Sequence, residues 1–532
     1  MPRRKTIWCD CLSRFLLPLL FTLGNTHVVL AVPTPGTSSF AAVSNADDDH
    51  RASVIVGSNQ TAADDTRGDA NAGGVPTPTP SGAPCVGDCN SAGSVTVNEL
   101  VILVNIALGN APISTCTAGD ASNDGAITID EILVAVDNAL YGCAPSPTPT
   151  DVPRPCSSSD RTCYVSVNGS DADSGAAPAH ALRTITRAVQ LALANYTIIV
   201  APGTYRESPA EPSAVTVSKD GIQLIVESTP DNPVVLENLG GQKNGFWVSP
   251  ADSVNTTRGE FPPCGANGNL LHSFVLRGFT VRNFDEYGVY LACVDGFTLS
   301  ENLADGDRVY GLFPVRSHNG TMSNNEARGS SLDSALYVGQ SDHVTMTGNR
   351  AYGNVQGLEV ENSTDVTVTN NDVFSNTVGM IVDIRPGLQK TDQTNVLIAD
   401  NAVHDNNRPL TRPAPPRGTG ILVIGGSQVT VQNNMISNNG FAGILMTRFC
   451  SAVWSDEQQC TNIDIDPNPE NNRVVDNQLS HNGTMPPADP ILAQVAADLA
   501  WDNTGMGNCW GGNTPLATVK VLGGGQTLPI CQ

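Results

Sequence analysis

The stretch Gly357-Leu-Glu-Val-Glu-Asn-Ser-Thr-Asp-Val-Thr-Val-Thr-Asn-Asn-Asp-Val-Phe-Ser-Asn-Thr-Val378 decides the fold. Its apolar residues are Leu358, Val360, Val366, Val368 and Val373. The first four form two pairs, each with its members two positions apart, which is the pattern of a short strand with one buried face. Three such strands separated by turns predict one coil of 22 residues.

The same pattern returns in seven blocks. Each block opens on a small residue followed by an apolar one, at Gly288, Gly311, Ala335, Gly357, Gly379, Gly420 and Gly443. In five blocks an Asn follows 14 positions later, at Asn302, Asn325, Asn349, Asn371 and Asn434. Stacked coils lie about 4.8 Å apart, so these amides are predicted to hydrogen-bond in a column. The repeat therefore predicts a solenoid of stacked coils.

Two blocks depart from the pattern. The block at Gly311 has Pro314 and Gly320 in apolar positions. The block at Gly379 fits only when eight extra residues are allowed, after which Val396 and Ile398 fall into place. We expect those extra residues to form a loop on the scaffold.

Composition limits the classes of function. The chain has 532 residues, of which 28 are basic and 52 acidic, so its net charge is −24. An acidic surface repels phosphates, which argues against nucleic acid as a partner. The charge suits an exported protein that binds divalent cations.

The N-terminus has the features of a secretory signal. Arg3, Arg4 and Lys5 precede the apolar run 15–23, and small residues for cleavage follow at 29–31. The run is too short for a spanning helix, so we predict no transmembrane anchor. We assign 1–31 to a signal peptide and predict a secreted, extracellular or cell-surface protein.

Removal of this signal leaves twelve of the 14 cysteines. An even number in an exported chain predicts disulfides. Short loops favour Cys156–Cys163 and Cys450–Cys460, and we also suggest Cys264–Cys293 and Cys509–Cys531.

The remaining chain divides by composition. Residues 32–84 are rich in Pro, Thr, Ser, Ala and Gly and predict a disordered linker. Residues 85–143 predict a compact module, 144–155 a stiff Pro/Thr linker, and 156–532 the solenoid.

Two windows of the small module match the EF-hand loop, whose oxygen ligands select calcium. The ligands predicted in the second loop are Asp120, Ser122, Asp124, Ala126 through its carbonyl, Thr128 and Glu131. Those predicted in the first loop are Asp88, Asn90, Ser94, Thr96 and Glu99. Ala92 removes one ligand from the first loop, so we expect weaker calcium binding there. The alternative is a pair of polar turns without a metal.

The sequence resembles right-handed parallel β-helix proteins of the pectate-lyase-like superfamily, and most closely a group of secreted bacterial parallel β-helix repeat proteins. The resemblance covers the chain from about Cys156 to its end. It rests on the repeated blocks and on residues 163–171, 182–189, 197–205, 401–409, 464–467 and 508–513. It implies an all-β fold: a right-handed, single-stranded parallel β-helix with three strands per coil, whose first coil is capped by a helix near 182–189.

The small module resembles the EF-hand-like repeats of dockerins. This resemblance implies an α-helical module and makes a cohesin-like protein a candidate partner. Dockerin loops usually end in Asp, whereas these loops end in Glu99 and Glu131.

The first strand of each coil predicts columns of outward side chains. Tyr290, Phe313 and Tyr337 share one outward position in consecutive blocks, and Glu359 follows them. Glu361 and Asp383 share the next outward position, two residues further along the strand. Arg385 lies two positions beyond Asp383, and Lys390 lies in the loop that follows. Matching positions on adjacent coils are about 4.8 Å apart, so the acids need a cation or a shared proton.

In the pectate-lyase-like families this strand face holds calcium-binding acids and a basic catalytic residue. The resemblance thus implies calcium on Glu359, Glu361 and Asp383, with Arg385 or Lys390 as the base that removes the C5 proton of a uronate. The three aromatic rings would bind sugars of a polysaccharide or surface glycan. The alternative is a non-enzymatic surface or adhesion protein that docks through its calcium module. His318, His343 and His481 lie in predicted turns and are expected to be solvated.

Overall fold

The computed structural model describes residues 85–121, 125–141, 143, 156, 160–208, 213–227, 231–253, 264, 268–410, 416–453, 460–490, 492–514, 518–522 and 527–532. The predicted signal peptide and both linkers lie outside these residues. Two compact units are present, one within 21–152 and one from 153 to the C-terminus. Among the described residues, none of the helices combines the length and apolarity needed to cross a membrane.

Helices are few and short. The α-helices are α1 (Val97–Ala107), α2 (Ile129–Tyr141), α3 (Ile185–Leu191) and α4 (Phe449–Val453). Single turns of 3₁₀-helix are found at Ile113–Thr115, Thr117–Gly119, Pro178–His180, Ala251–Ser253 and Leu492–Val495.

The large unit consists of short strands. They are β1 (Thr162–Val165), β2 (Thr197–Val200), β3 (Gly203–Tyr205), β4 (Ser213–Val217), β5 (Gln223–Val226), β6 (Val234–Glu237), β7 (Asn244–Val248), β8 (Leu271–Arg277), β9 (Phe279–Arg282), β10 (Tyr287–Ala292), β11 (Val294–Ser300), β12 (Leu303–Asp305), β13 (Tyr310–Val315), β14 (His318–Ser323), β15 (Glu326–Arg328), β16 (Ser334–Gly339), β17 (Asp342–Thr347), β18 (Arg350–Tyr352), β19 (Gln356–Glu361), β20 (Thr364–Thr369), β21 (Asp372–Phe374), β22 (Val378–Asp383), β23 (Thr394–Ala399), β24 (Ala402–His404), β25 (Thr419–Ile424), β26 (Thr430–Gln432), β27 (Met435–Ser437), β28 (Ala442–Thr447), β29 (Arg473–Val475), β30 (Gln478–Ser480), β31 (Ala497–Trp501), β32 (Cys509–Gly511) and β33 (Val519–Val521).

These strands form three parallel sheets. Sheet A has 12 strands from β1 to β32, sheet B has 10 from β3 to β30, and sheet C has 11 from β4 to β33. Consecutive strands of the chain pass from sheet to sheet, so each coil contributes one strand to each sheet. The result is a right-handed parallel β-helix, as predicted.

The core lies inside the coils. Leu336, Leu358 and Met380 are direct partners in neighbouring strands of sheet C. Leu336 and Leu358 belong, with Ile421, to one continuous cluster of buried apolar residues that extends from Cys156 to Trp510. The period-2 pattern therefore buries one face of every coil, and α3 packs at the start of the stack against β1, β2 and β4.

The Asn column forms as the spacing predicts. Asn349 Nδ2 donates to Asn371 Oδ1 at 2.9 Å, and Asn371 Nδ2 donates to Asn401 Oδ1 at 3.0 Å. Each amide also bonds backbone groups, as when Asn371 Nδ2 donates to the Met346 carbonyl at 3.0 Å. The column consists of buried Asn302, Asn325, Asn349, Asn371, Asn401, Asn434, Asn477 and Asn513.

The two irregular blocks have local explanations. Gly320 faces Phe297 on the previous coil, and a Cβ there would lie 2.0 Å from the ring. The extra length between Gly379 and Gly420 divides into two segments, one on each side of β23 and β24. Only the first segment, 384–393, follows the strand that carries Asp383.

The small unit contains α1 and α2 with a core that includes Leu103, Ile106 and Ile127. Cys85–Cys143 and Cys89–Cys116 are disulfides. In the large unit the four suggested pairs are confirmed, at Cys156–Cys163, Cys264–Cys293, Cys450–Cys460 and Cys509–Cys531.

Candidate functional site

The predicted columns of acids lie in register on sheet C. Glu359 is the direct partner of Tyr337 on one side and of Ile381 on the other. Glu361 is the direct partner of Asp383. Because the coils stack without a shift, residues far apart in the chain come together on one outer face.

Arg385 completes a group that we call the acidic cluster, which comprises Glu359, Glu361, Asp383 and Arg385. Its Nε atom lies 2.7 Å from Glu361 Oε2 and 2.7 Å from Asp383 Oδ2. Its Nη2 atom lies 3.1 Å from Glu359 Oε1. One oxygen from each of the three carboxyl groups lies within 4.8 Å of the others. A single guanidinium therefore occupies the centre of three acids.

Asn362 holds the backbone of Arg385 in this position. Asn362 Oδ1 accepts from the Arg385 amide at 2.7 Å, and its Nδ2 donates to the Arg385 carbonyl at 2.9 Å. Arg385 lies beyond the end of β22, so its side chain folds back over the strand. The side chains of Glu359, Glu361 and Asp383 are 1, 8 and 3% exposed, whereas that of Arg385 is 26% exposed.

Neutral hydrogen-bond donors satisfy some of the carboxylate oxygens that Arg385 does not contact. Tyr337 donates its hydroxyl hydrogen to Glu361 Oε1 at 2.6 Å, and Ser334 donates to Glu359 Oε2. Asp383 Oδ1 is buried and has no hydrogen-bond partner among the described residues. An unsatisfied carboxylate oxygen is costly to bury, so this atom marks a position where a proton or a ligand would stabilise the site.

Burial raises the pKa of all three acids. For Glu359, burial and then the neighbouring Asp333 and Asp383 hold the pKa well above its ordinary value. Burial raises the pKa of Glu361 to about 7, although Arg385 opposes the shift. Burial likewise raises the pKa of Asp383 against the influence of Arg385. The cluster thus retains protons close to neutral pH.

The aromatic column does not form the predicted sugar-binding surface. Tyr290, Phe313 and Tyr337 do stack on the outer side of sheet C, with the rings of Phe313 and Tyr337 4.7 Å apart. All three are buried in a separate apolar cluster that includes Cys293 and has Leu270 packed against it. The residues packed against this cluster are Leu270 outside the strands and Tyr287 and Tyr310 at the starts of β10 and β13, among others. The period-2 pattern did not indicate this second layer of side chains.

An aliphatic cluster covers sheet C on the other side of the acids. It includes Ile381, Leu422 and Leu445 on the strands and Phe449 of α4. The acidic cluster therefore lies between an aromatic and an aliphatic covering. Its partly exposed member is Arg385, and Lys390 in the adjacent loop is also partly exposed.

Lys390 does not point its amine into the three acids. Its Nζ atom pairs with Asp392 Oδ1 at 3.2 Å, and its carbonyl accepts from Asn362 Nδ2 at 2.7 Å. The role of base that the resemblance implied for Arg385 is also unfavourable, because the three acids raise the pKa of its guanidinium.

In the first predicted calcium loop, the first and last acidic residues accept hydrogen bonds from backbone amides of the loop. Asp88 Oδ2 accepts from the Gly93 amide at 2.7 Å, and Glu99 Oε2 accepts from the Thr96 amide at 2.8 Å. Glu99 also accepts from the Cys89 amide at 3.0 Å. Hydrogen bonds from Thr96 lower the pKa of Glu99. Asn90 and Ser94 are exposed on the same loop.

The second loop repeats this arrangement. Asp120 Oδ2 accepts from the Gly125 amide at 2.9 Å, and Glu131 Oε2 accepts from the Thr128 amide at 2.8 Å. Ala126 is exposed beside them. Ser122 and Asp124 lie outside the described residues. Oxygen donors at this spacing, buried Asp88, Glu99 and Glu131 among them, suit a hard cation such as calcium.

Residues 195–408 and 328–514 match a protein family described as "Periplasmic copper-binding protein (NosD)". Together the two matches extend from 195 to 514, which is more than half of the 532 residues. The chain belongs to the NosD family. No curated protein sequence matches the chain. The family description places NosD proteins in the periplasm, in agreement with the prediction of a protein outside the cytoplasm.

Several solved structures resemble this NosD-family chain in fold. The A-module of a mannuronan C-5 epimerase from Azotobacter vinelandii is 18% identical, with a TM-score of 0.44, over 61% of this chain and 80% of that one. A periplasmic alginate epimerase is 16% identical, with a TM-score of 0.38, over 62 and 77%. A pectate lyase is 15% identical, with a TM-score of 0.38, over 68 and 76%. These likenesses carry no argument about what this chain binds.

Copper, which the NosD description implies, does not fit the acidic cluster. Cu²⁺ favours nitrogen and sulfur ligands, whereas this cluster offers carboxylate oxygens, which suit calcium, magnesium or manganese. The twelve cysteines of the described residues are paired in disulfides. Imidazole is the remaining ligand type, and His318 and His343 both contact Asp342 on sheet A.

Proposed function

We propose that the chain is an exported calcium-binding β-helix protein whose large unit binds a uronic-acid polysaccharide at the acidic cluster. The observation that carries this proposal is the position of Arg385, a partly exposed guanidinium on the outer face of a rigid sheet. A planar guanidinium pairs well with carboxylates, and the repeating carboxylates of a uronan are its expected ligands.

The local charge favours such a ligand in spite of the acidic chain. The pKa values of Glu359, Glu361 and Asp383 are raised, so the cluster carries less negative charge than three ionised acids would. Arg385 is the member nearest to solvent, and Lys390 is partly exposed in the loop that follows. A uronate therefore approaches two cations, with the acids behind them.

The proposal has a catalytic form, in which the acidic cluster also processes the polysaccharide that it binds. Glu361, with a pKa of about 7, is better suited than Arg385 to exchange the C5 proton of a uronate near neutral pH. Arg385 would neutralise the uronate carboxylate and so favour loss of that proton. In this assignment the Arg385 guanidinium takes the role at the acidic cluster that the resemblance implied for calcium. Calcium is assigned to the small unit. Elimination or epimerisation would follow from the same carbanion-like state.

Calcium is proposed at the two loops of the small unit, with Asp88 and Glu99 in the first and Asp120 and Glu131 in the second. The support is that both acids of each loop accept hydrogen bonds from backbone amides of the same loop. Bound calcium would offset the charge repulsion within each loop and stabilise the attached helices.

A second candidate is a non-enzymatic surface protein. The burial of Glu359, Glu361 and Asp383 favours it, because a substrate reaches them only after Arg385 moves. The small unit supports docking as well, since Val97, Val101 and Val104 form an exposed apolar stripe on α1. We propose a cohesin-like protein as the partner of this stripe. Replacement of Val101 by Asp would abolish binding of a purified cohesin in that case.

Deuterium exchange tests the catalytic form. Uronic-acid oligomers are incubated in D₂O with the parent protein, with Glu361→Gln and with Glu301→Gln, which alters an exposed acid. The proposal predicts deuterium at C5 with the parent and Glu301→Gln, and none with Glu361→Gln. Binding without exchange by the parent would favour the non-enzymatic candidate.

A further inference from the structure

Two disulfides of the small unit close long loops around its predicted calcium sites. Cys85–Cys143 joins residues 58 positions apart and so connects the beginning of the unit to its end. Cys89–Cys116 joins residues 27 positions apart. Cys89 is the second residue of the first calcium loop, and Cys116 lies four positions before Asp120, where the second loop begins. One covalent bond therefore connects the N-terminal ends of the two calcium loops.

The apolar core of the small unit is too small to hold the unit together by itself. Its buried apolar residues, among those that the structure describes, are Leu103, Ile106, Cys116, Ile127 and Ala135. Other apolar side chains of α1 and α2 face solvent instead of adding to this core. Below about 70–80 residues a single core leaves little net stability, and natural small domains add disulfides or a structural metal. The small unit therefore needs one of these two aids.

The disulfides join segments that packing and hydrogen bonds also hold together. Cys116 is 2% exposed and belongs to the core of the unit. Next to the other disulfide, Asn138 of α2 donates through Nδ2 to the Val86 carbonyl at 2.9 Å. The Gly87 amide donates to the Ala118 carbonyl at 3.0 Å. The cross-links therefore reinforce contacts of the folded unit, from its first residues to α2.

The start of each helix in the small unit is capped by the chain's own side chains. At α1, Glu99 Oε2 accepts from the Thr96 amide and from the Thr96 hydroxyl, both at 2.8 Å. At α2, Glu131 Oε2 accepts from the Thr128 amide at 2.8 Å and from the Thr128 hydroxyl at 3.0 Å. The first amides of a helix have no partner inside it, so a capping carboxylate stabilises the helix. Both helices therefore have a stabilised start that does not depend on a cation.

We propose that the two disulfides keep the small unit folded without calcium, so that calcium binds to a unit that is already formed. In small metal-binding domains without cross-links, metal binding and folding are often one event. Here the cross-links restrict the unfolded chain, and the restriction is greater for the longer loop. The exposed stripe of Val97, Val101 and Val104 is then presented to a partner at any calcium concentration. The inference rests on the proposed calcium loops, but the fold without calcium can be measured by itself.

Hydrogen–deuterium exchange of the full-length protein, read by mass spectrometry, tests the proposal at the two helices. Exchange is measured in EGTA and in excess calcium for peptides that cover Val97–Ala107 and Ile129–Tyr141. The matched control is Cys509→Ala/Cys531→Ala, which removes a disulfide of the large unit. The test variant carries Cys85→Ala, Cys89→Ala, Cys116→Ala and Cys143→Ala.

The parent and the control are expected to keep both helices protected in EGTA. The test variant is expected to exchange these amides on the order of 100-fold faster in EGTA, and calcium is expected to restore their protection. Unprotected helices of the parent in EGTA, or equal protection of parent and test variant there, would overturn the proposal.

The parent measurement needs no substitution, so it remains decisive if the test variant does not fold. Failure of the proposed calcium loops has a different signature. In that case calcium leaves the exchange of the test variant unchanged, and calorimetry detects no calcium binding by the parent, while the helices of the parent stay protected in EGTA.

Discussion

Arg385 Nε lies 2.7 Å from Asp383 Oδ2. If the strand continued in a regular way after Asp383, the chain would carry Arg385 away from it. The strand β22 ends at Asp383, and Asn362 turns the following backbone so that the guanidinium covers the strand. One cation therefore balances three buried acids. The stability of this part of the β-helix should depend on that balance.

Removal of the cation should destabilise the large unit in a pH-dependent way. Arg385→Gln leaves three buried carboxyl groups without a counter-charge, and breaking a buried ion pair costs about 3–5 kcal/mol. We expect this loss in chemical denaturation at pH 8 and a smaller one at pH 5, where the acids with raised pKa carry less negative charge. Arg417→Gln, at an exposed arginine, is the control. Equal losses at both pH values would contradict the proposed charge balance.

Glu361 should make stability fall as the pH rises. The folded protein binds its proton up to a pKa of about 7, whereas the ordinary value is 4.5. Between these values the folded state binds more protons than the unfolded state, so the free energy of unfolding decreases with increasing pH. Glu361→Gln should reduce this decrease between pH 5 and pH 8 by on the order of 2 kcal/mol. The same decrease in parent and variant would refute the assignment, and Glu301→Gln serves as control.

The Asn column should contribute to stability through its buried amides. Asn371→Ala removes the acceptor of the Asn349 amide and side chain and leaves the Met346 carbonyl without its donor. Unsatisfied buried groups cost roughly 1–3 kcal/mol each, so we expect a loss of about 3 kcal/mol in the free energy of unfolding. Asn168→Ala, at an exposed turn, should change it by less than about 0.5 kcal/mol. A similar small effect at both positions would show that the column is dispensable.

The two calcium loops should differ in affinity. Glu131→Gln removes the last ligand of the loop with the complete set and should abolish the tighter of two calcium-binding events in calorimetry. Glu99→Gln should abolish only the weaker event, because Ala92 already deprives that loop of a ligand. Loss of both events in either single variant would indicate one coupled site instead of two.

The stacking of the coils could be predicted from the sequence, because the apolar residues and the Asn recur at the same positions in successive blocks. The offset of Glu361 in its block equals that of Asp383, and the two are partners in the sheet. A second column, Asn354, Asn376, Asn406 and Asn439, could have been found in the same way, since its members also recur once per coil.

Burial of the outer face could not be predicted from the repeat. The residues that cover Tyr290 and Ile381 include Leu270 and Phe449, which lie outside the repeated strands. The contact of His318 and His343 with Asp342 depends on a left-handed residue in each coil, which the alternation of apolar positions does not reveal. Burial and contacts of this kind can be identified only when the register of the coils in three dimensions is known.

The affinity for a uronic-acid oligomer, measured by calorimetry at pH 6, tests the proposed binding site most directly. The parent and Arg417→Gln should bind the oligomer equally, and Arg385→Gln should bind it at least about tenfold more weakly, a difference of about 1.4 kcal/mol. A neutral glucan oligomer should not bind. Equal affinities of Arg385→Gln and the parent, in variants shown to be folded, would contradict the assignment of Arg385 as the group that holds the uronate.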